Sequence, residues 1–97
     1  MKIYTLSTCG WCRKLKKLLN ALEVDYDYTD VDKLSGEELK KVREEVKQYN
    51  PRGSFPTLVI NDGEHVVVGF NEDMLTKVIC ECYGHPEEKV KGEIAKC

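Results

Sequence analysis

The sequence predicts an α/β fold in which a four-stranded mixed sheet, connected β-α-β-α-β-β-α, is flanked by helices. Three observations predict it. Short alternating stretches rich in β-branched and aromatic residues are interleaved with two segments of helical apolar spacing, a pair of such stretches brackets a tight turn, and a third helical segment follows. A strand-helix-strand unit followed by a hairpin and a helix buries its apolar faces most simply as one mixed sheet with helices packed on it. At 97 residues the chain has the size of one such unit. Residues 1–84 are expected to form it, and residues 85–97 to be a C-terminal tail.

The first strand is "KIYTL", residues 2–6. In the helix that follows, Cys12, Leu15, Leu18, Leu19 and Leu22 recur on one side, while Arg13, Lys14, Lys16 and Lys17 fill the other and are read as a solvated face. Cys12 therefore falls on the buried stripe and Cys9 at the exposed first turn. "VDYDYTDV", residues 24–31, sets Val24, Tyr26 and Tyr28 against acids and reads as an edge strand whose acids face water. Ser35 followed by Glu38 has the form of a capping box, and Leu39, Val42, Val46 and Tyr49 line one side of a second helix that Pro51 stops. "TLVI" and "HVVVG" flank "NDGE" as a hairpin. Asn71 is placed to cap a third helix with Leu75, Val78, Ile79 and Cys82 on its stripe, ended by Gly84 and Pro86. The tail puts Val90, Ile94 and Cys97 on one helical side, so its polar composition fits a short added helix or a frayed end.

Charge and apolar distribution narrow the function. Fifteen basic residues face seventeen acidic ones, so no basic field exists to attract a phosphate backbone, and nucleic acid is not expected as a partner. No apolar run approaches the ~20 residues needed to span a bilayer, and "MKIYTLS" lacks the apolar core of a signal peptide. A cytoplasmic protein without a membrane partner is expected. Cysteines at 9, 12, 80, 82 and 97 are odd in number and irregular in spacing, unlike a secreted disulfide framework. In a reducing compartment the Cys9-x-x-Cys12 pair points to chemistry or metal. His65 and His85 have no ligand-like company and read as surface residues.

Helix geometry explains why this spacing suits redox work. Residues three apart on a helix have Cβ atoms about 5–6 Å apart, so a small backbone adjustment closes or opens a disulfide without unfolding. Unpaired N–H groups and the positive end of the helix dipole favour a thiolate at Cys9, whereas Cys12, a turn inward among leucines, keeps its proton. Cys9 is thus the attacking thiol and Cys12 the resolving one. A zinc site would need a second ligand pair. Trp11, between the two cysteines, is expected to shape the contact surface. Cys80 and Cys82 are two apart, point in different directions on a helix and should not pair. With Cys97 they are expected to be tolerated in a reducing cell and dispensable for the reaction.

"YTLSTCGWC" at 4–12, "RGSFPT" at 52–57 and "VGFNEDM" at 68–74 occur in an order and spacing that resemble glutaredoxins and glutaredoxin-like members of the thioredoxin fold, over about residues 1–80. The resemblance implies a thioredoxin-like fold and dithiol exchange at Cys9 and Cys12. It also implies a cis Pro56 facing the cysteines, with the Phe55 backbone free to pair with a substrate. Where glutathione users tend to carry Gly-Gly-x-Asp-Asp, this chain has Gly69-Phe70-Asn71-Glu72-Asp73; Asp73 matches, and Asn71 and Asp73 are counted with the substrate contacts. The basic residue that such members carry three before the first cysteine is replaced by Leu6, and Gly10-Trp11 is neither of the common dipeptides. The expected partners are disulfide-containing proteins and a reductant that is either a thioredoxin-reductase-like flavoprotein or glutathione. The chain is expected to be a monomer that needs no bound cofactor. The rival is a metal or iron-sulfur module using Cys9 with tail cysteines or a second chain.

Leu6 supplies no charge-assisted contact to a glutathione carboxylate, a loss worth about 1.5–3 kcal/mol. Leu6→Lys is expected to improve apparent glutathione affinity roughly ten- to a hundredfold. Steady-state reduction of the oxidised protein by glutathione measures it, and an unchanged KM alongside efficient turnover of the wild type would contradict it.

Overall fold

Strand β1 (Lys2–Thr5) lies inside a four-stranded sheet of order β2-β1-β3-β4. In the computed structural model, which describes residues 1–96, β1 is followed by α1 (Gly10–Ala21), β2 (Asp27–Asp30), α2 (Gly36–Tyr49), β3 (Thr57–Ile60), β4 (His65–Val68), α3 (Glu72–Tyr83) and α4 (Glu87–Lys96). β1 runs parallel to β2, as the α1 crossover requires, and antiparallel to β3, which pairs with β4 as a hairpin. Central β3 is buried along its whole length, whereas β2 exposes Asp27 and Tyr28 at an edge.

Strand alternation splits the core between the two faces. Ile3, Leu58, Ile60 and Val67 meet Leu15, Leu18 and Leu19 of α1 and Leu75, Val78 and Ile79 of α3. Tyr4 and Val59 face the other way, against Val31 and Val46, with Leu39, Val42 and Tyr49 of α2 around them. The three helical stripes expected from the spacing are therefore the faces that pack.

Two local expectations differ in detail. The second strand is confined to Asp27–Asp30, because Glu23 takes a positive φ of 57° where α1 ends and Val31 opens a 3₁₀ turn over Val31–Lys33. Val24 and Val31 are still buried, so they pack as their apolar character predicts although their backbone lies outside the strand. Ser35 stands before α2, yet its side chain makes no capping hydrogen bond. Gly36 follows with a φ of 61°, and this left-handed step takes the first turn out of the geometry that would bring an N–H to the serine hydroxyl. Asn71 does cap as expected: its Oδ1 accepts the Met74 N–H at 3.1 Å, and Gly84 closes α3 in the left-handed conformation.

The tail is a packed helix. Val90 has no exposed surface and Ile94 only 8%, and both join the cluster that holds α1 and α3 against the sheet. Two residues four apart suffice, since they present one apolar ridge per turn while a Glu87–Lys91 ion pair at 2.8 Å spans the outer side. Cys97, expected on the same side, lies outside the described residues. No described helix is long and apolar enough to cross a membrane.

Removing a buried Ile side chain down to Ala costs about 2–5 kcal/mol, and a Val somewhat less. At about 4–8 °C per kcal/mol, Ile94→Ala is expected to lower the melting temperature by roughly 8 °C or more and Val90→Ala by somewhat less. A melting curve superimposable on that of the wild type would show that α4 adds nothing to the core.

Candidate active site

The site begins where β1 runs out. Residues 6–9 turn the chain from the sheet into α1 and are pinned at both ends: the Cys9 N–H donates to the Leu6 carbonyl at 3.1 Å, and the Ser7 N–H donates to Asp32 Oδ1 at 2.9 Å. The Ser7 hydroxyl donates to the other oxygen of that carboxylate, which holds Asp32 below the usual carboxylate range. Cys9 itself is the N-cap of α1, and its sulfur accepts the Cys12 N–H at 3.2 Å. One of the helix's orphan N–H groups is thereby spent on the thiol.

Both cysteines are free thiols, but their surroundings differ. Cys9 is half-buried, while Cys12 has no exposed surface. Burial first, and the hydrogen bond with Cys9 second, push the Cys12 thiol well above the ordinary cysteine range; the Leu6 backbone and the Lys16 charge oppose the shift.

The second motif arrives from β3. Thr57 pairs with Tyr4 across the sheet, so Pro56 lies at the end of β1 from which the Cys9 loop departs. The Phe55-Pro56 bond is cis, and the Pro56 carbonyl accepts the Gly69 N–H at 2.8 Å, which draws the third motif to the same end. The loop before Pro56 is held by a residue that the sequence did not bring to attention. Buried Asn50 donates through Nδ2 to the Ser54 carbonyl and to Thr57 Oγ1, both at 3.0 Å, and its Oδ1 accepts the Arg52 N–H at 3.2 Å. The only available signal was an Asn-Pro step at a helix end, which marks a turn without naming its partners.

Trp11 projects from the first turn of α1 with 56% of its surface exposed. Its ring sits 5.6 Å from that of Phe70, tilted by 33°, and the Lys14 ammonium lies 4.7 Å above it. Phe70, a departure from the glutathione-type motif, is thus the partner of the other unusual residue. A groove of about 480 Å³ runs beside the pair, walled by Lys14, Asn71, Asp73 and, from α4, Ile94 and Ala95. Asn71 reaches this groove with its side-chain oxygen accepting the Met74 N–H that caps α3, which orients its NH2 group as a donor toward a ligand.

The basic face of α1 is not uniformly solvated. Arg13, Lys14 and Lys17 are exposed, whereas Lys16 is half-buried and pairs with Asp30 at 3.2 Å. Asp30 also accepts the Thr5 hydroxyl at 2.6 Å, and Thr5 ahead of Lys16 holds its carboxyl below the ordinary range. Cys80 and Cys82 are half-buried and pack against the core, and burial, reinforced by Glu81 and Glu64, pushes the Cys82 thiol up. Among the described residues, no three His, Cys, Asp or Glu side chains gather as a metal site requires.

A family model described as glutaredoxin matches residues 1–66, which include the cysteine pair and the Phe55-Pro56 step. The chain belongs to the glutaredoxin family. The crystal structure of a glutaredoxin from Methanosarcina mazei Go1 is 50% identical and superposes with a TM-score of 0.73, covering 80% of this chain and 75% of that one. A methanoredoxin from Methanosarcina acetivorans is 46% identical at a TM-score of 0.73, with 78% and 79% covered. An uncharacterized glutaredoxin-like 8.6 kDa protein in a rubredoxin operon of Clostridium pasteurianum is 34% identical over 79 residues, spanning 81% of this chain and 96% of that protein. These matches establish the thioredoxin-like fold and support a thiol-disulfide redoxin function; they lend nothing to the metal-module alternative.

Asn50→Ala would remove the amide's bonds to the Ser54 carbonyl and Thr57 Oγ1 and leave the Arg52 N–H without its side-chain partner, at a cost of about 1–3 kcal/mol. Urea unfolding is expected to show that loss together with weaker disulfide reduction. Full activity in the variant would mean that the loop before Pro56 is held by other contacts.

Proposed function

We propose that this chain reduces disulfides in proteins, or mixed disulfides of proteins with a small thiol, using Cys9 as the nucleophile and Cys12 as the resolving thiol. The Cys9 thiolate attacks one sulfur of the substrate disulfide; that bond breaks, the first substrate sulfur leaves as a thiol after taking up a proton, and a mixed disulfide remains on Cys9. Cys12 then loses its proton and attacks the Cys9 sulfur, which releases the second substrate thiol and leaves Cys9 and Cys12 joined. A reductant reverses the last state. No bound cofactor enters the cycle.

The observation that carries this reading is the asymmetry of the pair: the Cys9 sulfur caps α1 at a partly open position, while Cys12 is sealed beneath it. Only the first is reachable by a foreign disulfide. Around it, the Phe55 backbone beside cis Pro56 would pair with the substrate chain, Trp11 would supply apolar contact, and Asn71 and Asp73 would meet polar groups across the groove. A flavoprotein reductant of the thioredoxin-reductase kind is preferred to glutathione. Leu6 supports that preference, because it packs half-buried against the cluster under α2 where a cation would have been needed. The protein would act as a cytoplasmic monomer.

Trapping tests the roles. Cys9→Ser is expected to abolish insulin reduction, whereas Cys12→Ser should accumulate a mixed disulfide mapped by mass spectrometry to Cys9. A trapped adduct in Cys9→Ser instead would reverse the assignment. Replacement of Cys80, Cys82 and Cys97 together by Ala, which spares the two packed positions an unpaired hydroxyl, is expected to leave turnover within about twofold of wild type. A large loss in a folded variant would reveal a third working thiol.

A further inference from the structure

The resolving step requires a thiol with no exposed surface to become an anion before it can attack. Burial opposes that ionisation, and water cannot reach the sulfur to relieve it. The compensation must come from within the fold, and α1 carries it one turn further on. Lys16 follows Cys12 by four residues, one turn on at the flank of the buried stripe, where it is half-buried and its charge favours the Cys12 thiolate.

Lys16 differs from the other cations of α1 in being anchored. Its ammonium lies 3.2 Å from Asp30 Oδ1 and 3.9 Å over the Tyr28 ring, and the two side chains of the ion pair keep only 22% and 14% of their surface exposed. Asp30 is itself fixed. It faces Thr5 across the parallel register of β1 and β2, and the Thr5 hydroxyl donates to it at 2.6 Å. Both strands end there, at the edge from which the Cys9 loop departs. Such a tether keeps a flexible four-carbon stem from sampling solvent, and the low exposure limits the screening that makes surface charges ineffective.

We infer that Lys16, held in place by Asp30 and Tyr28, is a positioning residue for the resolving step, stabilising the buried Cys12 thiolate as it attacks the mixed disulfide on Cys9. The inference rests on the assignment of Cys12 as the resolving thiol. In this step the Cys12 S–H bond breaks, a bond forms between the two cysteine sulfurs, and the electron pair of the old disulfide leaves with the substrate sulfur, which takes up a proton. The groups that face Cys12 are Cys9 on the same helix, the Leu6 backbone from the preceding loop, and Lys16. Those that face Asp30 are Thr5 on β1, Lys16, and Lys33 in the turn after β2.

Reduced full-length protein is mixed with one equivalent of 2-hydroxyethyl disulfide, a small neutral probe, quenched with acid at intervals and weighed intact. Formation of the adduct reports attack by Cys9, and its decay reports resolution by Cys12. Lys16→Gln is expected to slow the decay roughly three- to tenfold near neutral pH and to move its pH profile upward, with adduct formation unchanged. Lys16→Arg, which keeps the charge, should restore the decay to within about twofold of wild type. Asp30→Asn is the second variant, and a smaller slowing of the same phase is expected from it. An unchanged decay in Lys16→Gln, equal slowing in Lys16→Gln and Lys16→Arg, or a decay in Asp30→Asn as fast as wild type overturns the inference. None of these results would disturb the cysteine roles, because the adduct would still map to Cys9. An adduct mapped to Cys12 would overturn those roles and this inference together.

Discussion

A sulfur atom at the start of α1 is the contact on which the rest of the site depends. The Cys9 side chain stands where an Asn, Asp or Ser would ordinarily cap a helix, and the N–H it accepts belongs to Cys12, the other member of the pair. One hydrogen bond thus does two things: it begins the helix, and it fixes the distance and orientation between the two thiols. Since α1 is also the crossover between parallel β1 and β2, the helix cannot move without disturbing the central strand.

The other motifs converge on that point through sheet register more than through contacts of their own. Pairing of Thr57 with Tyr4, and of Val68 with Thr57, brings the ends of β1, β3 and β4 to one edge of the molecule. Pro56, Gly69 and the turn before Cys9 are simply the residues at which those strands give way to loops. The edge is stiffened from behind by Asn50, Asp32 and Asp30, each of which ties a loop or strand end to a neighbour through a side chain. Reactive groups positioned this way are held by the scaffold while remaining at its surface.

Most of the architecture was legible in the sequence because it rests on local periodicity. The α1 stripe from Cys12 to Leu22, the hairpin around "NDGE" and the Asn71 cap each depend on residues a few positions apart, and each is present. The capping box at Ser35 failed on backbone conformation, since Gly36 turns the chain in a way that its neighbours' side chains do not announce. What could not be read were partners brought together from distant parts of the chain. Phe70 against Trp11, Asp30 against Lys16, Asn50 against Thr57, and α4 beside the groove all depend on which strand ends meet. Lys16 shows the limit well: by spacing it belongs to a solvated face, and only the position of β2 makes it an inward-held charge.

The account stands on the contrast between a capping, reachable Cys9 and a sealed Cys12 whose thiol resists ionisation. Iodoacetamide alkylation of the folded, reduced protein near neutral pH, followed site by site by peptide mass spectrometry, measures that contrast directly. Cys9 should be modified at least about tenfold faster than Cys12, with Cys12 becoming reactive only when the protein unfolds. Equal rates, or faster modification of Cys12, would contradict the assignment of attacking and resolving thiols.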